Sequence, residues 1–230
     1  MNTALQSKKP PYMMIVILFV GAFYSIHKNL SFVNNSLLNV ALPSIMVDLK
    51  IDNYSTVQWL ATGYMLVSGV LIPASAFLIT RFSNRSLFIT SMLIFTLGTA
   101  MAAFAPNFAV LLSGRMVQAA GASVMGPLLM NVMLISFPRE KRGTAMGIFG
   151  LVMITAPAIG PTLSGYIVEY FDWRILFMMI LPLAVLSLLL SVWKLENVME
   201  TDKTATIDYL SVVLSTLGFG GLLYGVSSAS

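Results

Sequence analysis

Polar residues inside long apolar segments are the first candidates for chemistry in this sequence. The segment from Gly21 to Ile45 is apolar at both ends and holds the single histidine of the chain, His27, beside Lys28. At 100° per residue, its polar side chains fall within an arc of roughly 140° on one side of a helix: Tyr24, His27, Lys28, Ser31, Asn34, Asn35 and Asn39. A stripe of this kind is typical of a helix that faces a water-filled cavity. Histidine titrates near neutrality, so His27 is the candidate proton-sensitive group.

A second charged group, Arg115, lies inside a later apolar segment. Four, seven and eleven positions after it come Ala119, Ala122 and Gly126, a small-residue face that lets another helix approach closely. The guanidinium would point into that gap, either toward a transport pathway or as an interhelical hydrogen-bond donor with a structural role only. Gln118, one turn on, supports either reading. The acidic residues leave no carboxylate inside the membrane, because all of them lie in loops or at segment ends: Asp48, Asp52, Glu140, Glu169, Asp172, Glu196, Glu200, Asp202 and Asp208.

These groups belong to a chain of 230 residues that is 57% hydrophobic and only 10% charged. Soluble domains carry about 25% charged residues, so the composition indicates an all-α polytopic membrane protein. Most of its seven apolar runs are near the ~20 residues that span a bilayer: 12–45, 57–79, 86–105, 108–136, 144–168, 175–193 and 209–227. The first run follows Lys8 and Lys9 as a signal peptide would, but no small-residue cleavage site follows it, which favours a membrane span.

The basic residues are distributed unevenly over the breaks between the runs. When the breaks are assigned alternately to the two sides of the membrane, one side has only Lys50 and Arg174. The side of the N-terminus has nine: Lys8, Lys9, Arg81, Arg85, Arg139, Lys141, Arg142, Lys194 and Lys203. This bias predicts a cytoplasmic N-terminus. It also explains the net charge of +4 as a topology signal rather than as a nucleic-acid-binding surface.

Other function classes lack the residues that they need. The chain has no cysteine, which excludes disulfides, cysteine-ligated zinc and thiol catalysis. A lone histidine without a buried acid supplies neither a nucleophile–base pair nor a metal cluster, so we predict no enzyme, no metal and no cofactor. Seven spans also suggest a retinal protein or a receptor, but the last span has no lysine for a retinal Schiff base. Secondary transport fits best.

Six motifs along nearly the whole chain resemble one family of transporters. They are "NNSLLNVALP", "STVQWLATGYMLVSGVLIPASAFLITRFSNRSLF", "LLSGRMVQAAGASVMGPLL", "APAIGPTLSG", "DWRILFMMILP" and "IDYLSVVLSTLGFGGLLYG". In residues and order they resemble the fourteen-span drug:proton antiporters of the major facilitator superfamily, of the EmrB/QacA type. The closest resemblance is to the lincomycin-resistance exporters.

The resemblance implies the N-terminal half of such a transporter. It divides the chain into a cytoplasmic N-terminus (1–11), a six-helix bundle of 3+3 inverted repeats (12–193), a cytoplasmic loop (194–208) and a seventh span (209–230), after which the family has seven more. The implied function is efflux of lipophilic or cationic drugs from a bacterial plasma membrane, in exchange for protons, by alternating access. The alternative is a truncated, non-transporting fragment or a half that assembles with a partner, because transport at a repeat interface needs both halves.

The first helix departs from the family pattern. Where the family usually has an aspartate, sometimes an asparagine, and then a threonine, this chain has Asn34 and Ser36. The stretch "HKNLSF" (27–32) resembles an insertion, which predicts a long tilted helix, a break of the kind found at transporter binding sites, or an altered register. His27 and Lys28 therefore either face the central cavity or belong to a tolerated insertion without a role.

Two further regions complete the candidate set that the resemblance implies. The loop "ITRFSNRS" lacks the family's aspartate, so Thr80, Arg81 and Arg85 either gate the cytoplasmic side or anchor the orientation. The family's arginine that matches Arg115 is implicated in proton or substrate handling. Span five resembles the antiporter motif with two glycines replaced, a small, proline-kinked face that packs against a neighbouring helix: Ala156, Pro157, Gly160, Pro161 and Gly165.

Overall fold

The computed structural model describes residues 37–137 and 139–195, Asn197, and the single residues 214, 217, 218, 221 and 225. At 136, 145, 148, 149, 151–159 and 194 it describes the backbone alone. The two long ranges form six α-helices without a strand: α1 (Leu37–Asp48), α2 (Tyr54–Arg81), α3 (Asn84–Ala103), α4 (Phe108–Ser136), α5 (Arg142–Tyr170) and α6 (Arg174–Lys194), with a short 3-10 helix at Arg139–Lys141. The all-α class is confirmed.

The helices coincide with the apolar runs of the sequence. Each of the runs 57–79, 86–105, 108–136, 144–168 and 175–193 matches one helix, from α2 to α6, to within three residues. By length and composition, α2, α3, α4 and α6 can each cross a membrane. The first helix continues to Asp48, three residues past the end of the first run at Ile45. The rest of that run and nearly all of the seventh lie outside the described residues.

Short polar side chains begin three of the helices. Asn53 accepts a hydrogen bond from the backbone N–H of Ser55 at 3.0 Å, and Asn107 accepts one from Val110 at the start of α4. Ser83 caps α3 in the same way. Each cap satisfies a backbone donor that has no partner within its helix, an effect of about 1 kcal/mol. The polar breaks between runs therefore fix where the spans start.

The backbones of α3 and α4 pack directly against each other through three glycines. A Cβ atom on Gly98 would lie 2.7 Å from the carbonyl oxygen of Gly114, and one on Gly121 would lie 2.6 Å from the backbone nitrogen of Phe95. A Cβ on Gly114 would lie 2.9 Å from the nitrogen of Ala102. Small residues permit this approach between membrane helices, where packing and interhelical hydrogen bonds drive association. We call this contact the glycine seam.

The helix ends meet in two groups, at opposite ends of the bundle. At one end Arg174 donates to Asp48 Oδ2 at 2.9 Å and to the carbonyl oxygen of Ala105 at 3.2 Å, which ties together α1, the α3–α4 loop and α6. At the other end Arg85 donates to the carbonyl oxygen of Val192 at 2.7 Å, which joins the start of α3 to the end of α6. The ends that the sequence assigns to a common side thus touch each other.

Candidate functional site

Arg115 on α4 is the largest fully buried side chain in the described part of the chain. Its Cζ atom lies 4.4 Å from the ring centroid of Tyr64 on α2, a cation–π contact. Its Nε atom donates to the carbonyl oxygen of Leu60 at 3.5 Å, and one terminal nitrogen donates to Oε1 of Gln118. These described contacts link the guanidinium to two helices, α2 and α4.

Gln118 extends these contacts to α3. It is fully buried, and its Nε2 atom donates to the hydroxyl of Thr99 at 2.8 Å. Thr99 in turn donates its hydroxyl proton to the carbonyl oxygen of Phe95 at 2.8 Å. The result is a directed chain of hydrogen bonds from Arg115 through Gln118 and Thr99 to the α3 backbone. We call Tyr64, Thr99, Arg115 and Gln118 the interior cluster.

The interior cluster contains a positive charge and no carboxylate. In the described ranges every acidic residue is exposed: Asp48, Asp52, Glu140, Glu169 and Asp172. Burying an ion costs several kcal/mol, and neutral acceptors with an aromatic face offset only part of that cost. A buried charge inside a membrane bundle with such partners is typical of a functional pathway.

The predicted polar stripe is described only at its last member. Asn39 is exposed on α1, next to Val40, which is 37% exposed although the helical wheel puts it on the apolar face. The buried side of α1 carries Leu38 and Ala41, and its start is tied to α5 by a 2.6 Å hydrogen bond from Ser164 to the carbonyl oxygen of Leu37. His27, Lys28, Asn34 and Asn35 lie outside the described residues, as does the insertion at 27–32.

The comparison with known families decides the class of this bundle. Residues 28–227 match the family model described as Major Facilitator Superfamily. The chain belongs to the Major Facilitator Superfamily. Its long apolar helices make it a membrane protein of a transporter family, as the sequence motifs predicted.

Two relatives are similar to the chain over nearly all of its length. It is 55% identical over 229 residues to the uncharacterized MFS-type transporter YcnB of Bacillus subtilis. The aligned region covers 99% of this chain and 47% of YcnB. It is 45% identical over 226 residues to the lincomycin resistance protein LmrB of the same organism, covering 97% of this chain and 45% of LmrB. The chain therefore spans about half the length of the curated relatives it matches.

The solved structure supports the fold. A bacterial homologue of the human lysosomal transporter Spinster, in an inward-facing, unoccupied conformation, matches 88% of this chain and 47% of its own length, with a TM-score of 0.64. The two sequences are 17% identical. This likeness shows that the described helices adopt the helical-bundle architecture of the superfamily.

The three candidates of the predicted cytoplasmic loop, Thr80, Arg81 and Arg85, have described contacts. Thr80 donates its hydroxyl proton to the carbonyl oxygen of Phe77 on its own helix at 2.8 Å, and the Cζ atom of Arg81 lies 5.9 Å from the Phe77 ring centroid. Besides the contact of Arg85 with Val192, its backbone N–H donates to Oδ1 of Asn197 at 3.3 Å. These contacts join the start of α3 to the end of α6, and both alternatives, gating the cytoplasmic side and anchoring the orientation, stay predictions.

The segment of α5 that resembles the antiporter motif is described in part. Gly160 is buried, Gly165 is half-buried and Pro161 is exposed, whereas the side chains of Ala156 and Pro157 lie outside the description. No atom of the described residues comes within 4 Å of a Cβ built on Gly143, Gly147, Gly150 or Gly165. The tight packing expected of this face therefore stays a prediction, and the tight glycine contact that the structure describes is the glycine seam of α3 and α4.

Sequence reasoning missed two members of the interior cluster, Tyr64 and Thr99. Tyr64 lies within the quoted motif of span two, and its polar ring in an apolar run was a usable signal. Thr99 carried no such signal, because a membrane helix accommodates a threonine by a hydrogen bond to its own backbone. Only the packing of α3 against α4 reveals that its hydroxyl oxygen also accepts a hydrogen bond from Gln118.

Proposed function

We propose that this chain is the N-terminal half of a drug exporter in a bacterial plasma membrane, with a cytoplasmic N-terminus, that exchanges lipophilic or cationic drugs for protons by alternating access. Two findings support the proposal: the 45% identity to a lincomycin resistance protein and the buried Arg115 with uncharged partners. The buried arginine is the observation that carries it, because a charge inside a membrane-spanning bundle is costly and is typical of a substrate or ion pathway.

In this proposal the charge of Arg115 interacts with different charged groups as drug and proton enter and leave the cavity. Arginine remains protonated at every physiological pH, so Arg115 itself does not carry the transported proton. Its charge is instead a fixed source of potential in a medium of low dielectric constant, where charges act strongly. In this proposal a titratable group of the pathway, with His27 as the candidate, carries the proton, while Arg115 senses the charge that enters the cavity.

The second half of the exporter is part of the proposal. Binding at the interface of two six-helix halves requires a C-terminal half that follows in the same frame or is supplied by a partner. The mass of the chromosomally encoded protein, measured with an N-terminal tag in the membrane fraction, separates the cases. A band at about twice the 25.0 kDa of this chain supports one continuous exporter. A band near 25.0 kDa favours a separate partner or a non-transporting fragment.

Transport itself is tested by lincomycin accumulation in an exporter-deficient strain that expresses the complete reading frame. The proposal expects less accumulated drug than in cells with Arg115→Ala, and expects the difference to disappear when the proton gradient is collapsed. Matched levels of both proteins in the membrane fraction serve as the control. Equal accumulation in the two strains, over a panel of lipophilic and cationic drugs, would overturn it.

A further inference from the structure

We propose that Thr99 is a positioning residue, which fixes the orientation of the Gln118 amide so that its carbonyl oxygen faces Arg115. The inference rests on the proposed function for its transport consequence, because it deepens the role of the same interior cluster. The hydrogen-bond contacts that carry it stand independently of transport.

The two ends of the hydrogen-bond chain demand the same amide orientation. A guanidinium only donates hydrogen bonds, so the side of Gln118 that faces Arg115 has to be its carbonyl oxygen. At the other end, the single hydroxyl proton of Thr99 is committed to the carbonyl oxygen of Phe95, so Thr99 is an acceptor for the amide NH₂. A flipped amide would put its NH₂ against the guanidinium and its oxygen against the lone pairs of Thr99.

The glycine seam keeps Thr99 within reach of Gln118. Gly98 adjoins Thr99, and a Cβ atom there would collide with the backbone nitrogen and Cα of Gln118. The seam therefore brings the backbones of α3 and α4 into contact at the level of this hydrogen bond. Because Thr99 and Gln118 are both fully buried, water does not compete for the amide, and the loss of the acceptor leaves a buried donor unsatisfied.

A neighbouring threonine provides a matched control. Thr96 lies one turn earlier on α3 and is nearly as buried, but its hydroxyl has no hydrogen-bond partner among the described residues. Thr96→Val and Thr99→Val make the same chemical change on the same helix. Only the second removes an acceptor from Gln118, so the pair separates positioning from a general effect of valine in this helix.

The test measures drug-driven proton exchange in proteoliposomes with the complete protein. Thr99→Val is expected to lower kcat roughly tenfold, the size of one lost buried hydrogen bond, and to change the pH profile of the rate. Thr99→Ser keeps the acceptor, so its rate should stay near that of the wild type. Thr96→Val should also transport at the wild-type rate. If Thr99→Val does not accumulate in the membrane, Thr99→Ala removes the same acceptor without a new methyl contact and takes its place.

A double-mutant cycle with Gln118→Ala decides whether Thr99 acts through Gln118. Adding Thr99→Val to Gln118→Ala should cause no further fall in rate, since the amide to be oriented is already gone. Losses that multiply, or a Thr99→Val as active as Thr96→Val, would overturn the proposal.

The same cycle run on the melting temperature in detergent needs no transport. If the wild type fails to transport, the proposed function fails, and the positioning role is judged on stability alone. Non-additive melting shifts for Thr99→Val and Gln118→Ala support it, whereas additive shifts refute it.

Discussion

Two arginines of this bundle lie over aromatic rings at nearly the same distance but are neutralised differently. The Cζ atom of Arg115 is 4.4 Å from the centroid of Tyr64, and that of Arg174 is 4.3 Å from Trp173. Arg174, at the helix ends, also forms ion pairs with Asp48 at 2.9 Å and Asp172 at 3.2 Å, and its side chain is 24% exposed. Arg115 is fully buried among partners that are neutral in the described structure.

The difference shows how position determines the role of a charge. At the rim, two carboxylates and water compensate Arg174, so it serves to join helix ends at a low net energy. In the interior the described contacts of Arg115 are a carbonyl oxygen, an amide oxygen and an aromatic ring, none of which carries a negative charge. Substitutions at Arg115 and Gln118 test the interior arginine, and substitutions at Asp48 and Trp173 remove partners of the rim arginine.

Replacing Arg115 should have the largest effect. Arg115→Lys keeps the charge but loses the planar fork that contacts Leu60, Gln118 and the Tyr64 ring together, so transport should fall by roughly a hundredfold. The initial rate of drug export from loaded vesicles measures it. Arg174→Lys is the matched control, for which we expect less than a tenfold loss. A wild-type rate for Arg115→Lys would show that only the charge matters.

Gln118→Glu should give Arg115 a carboxylate partner, as Arg174 has in Asp48 and Asp172. The substitution keeps the shape of the side chain and turns the hydrogen bond from the guanidinium into an ion pair. It also removes the amide NH₂ that donates to Thr99, a neutral hydrogen bond whose loss we expect the ion pair to outweigh. We expect a higher melting temperature and transport slowed by roughly tenfold, because the charge is then committed to one partner. Thermal unfolding and export rates are measured on the same preparation. An unchanged rate would show that transport does not need an uncharged side chain at position 118.

Asp48→Asn should weaken the rim in a pH-dependent way. The hydrogen bonds from Arg174 and Trp173 hold the pKa of Asp48 below its ordinary value. A carboxylate with a lower pKa in the folded state stabilises the fold above its unfolded pKa of about 3.9, and this contribution is lost as the pH falls through the folded pKa. Melting temperatures of wild type and Asp48→Asn should therefore differ by about 1–3 °C from pH 5 to 8 and converge below pH ~4.

Asp52→Asn is the control for that comparison, since Asp52 is an exposed carboxylate just after α1 and forms no ion pair among those recorded for the described residues. Its melting temperature should follow the wild type at every pH. A difference between wild type and Asp48→Asn that persists undiminished at pH 3 would contradict the assignment to the Asp48 carboxylate.

Trp173→Phe should have the smallest effect. Phenylalanine preserves a ring beneath Arg174 and the edge-on packing against Phe177, whose centroid lies 6.2 Å away, but it removes the N–H that donates to Asp48 at 3.1 Å. The half-exposed acceptor regains water, so we expect a loss of about 1 °C or less in melting temperature and no change in transport. Trp173→Leu, which removes the ring as well, should lower the melting temperature further.

The positions of most described helices could be predicted from the sequence, because a span has to be apolar and about 20 residues long to cross the bilayer. Apolar runs near span length predicted five of the six described helices to within three residues. The interior site was predicted only at Arg115 and Gln118, whose polarity is conspicuous in an apolar run. Thr99 was missed because its role depends on which helix lies across from it, and the spacing of residues along one helix does not contain that information.

The sequence singled out one small-residue face of α4, and the structure shows a second one. The sequence favoured the face of Ala119, Ala122 and Gly126, which follows Arg115 along α4. The closest backbone contact uses Gly114 and Gly121, about 100° around the same helix. Both faces carry small side chains, and periodicity alone does not rank them.

The glycine seam has a mechanical consequence. Because no Cβ fits between the two backbones, sliding one helix along the other would bring carbonyl oxygens into contact with Cα atoms. We therefore expect α3 and α4 to move as one rigid unit, which includes Arg115. If the proposed transporter works by rocking of two halves, this rigid unit moves as one body with the guanidinium, and the distance from Thr99 to Gln118 is expected to stay constant. Any change felt by Arg115 must then arrive from the helices on its other side, beginning with the ring of Tyr64 on α2.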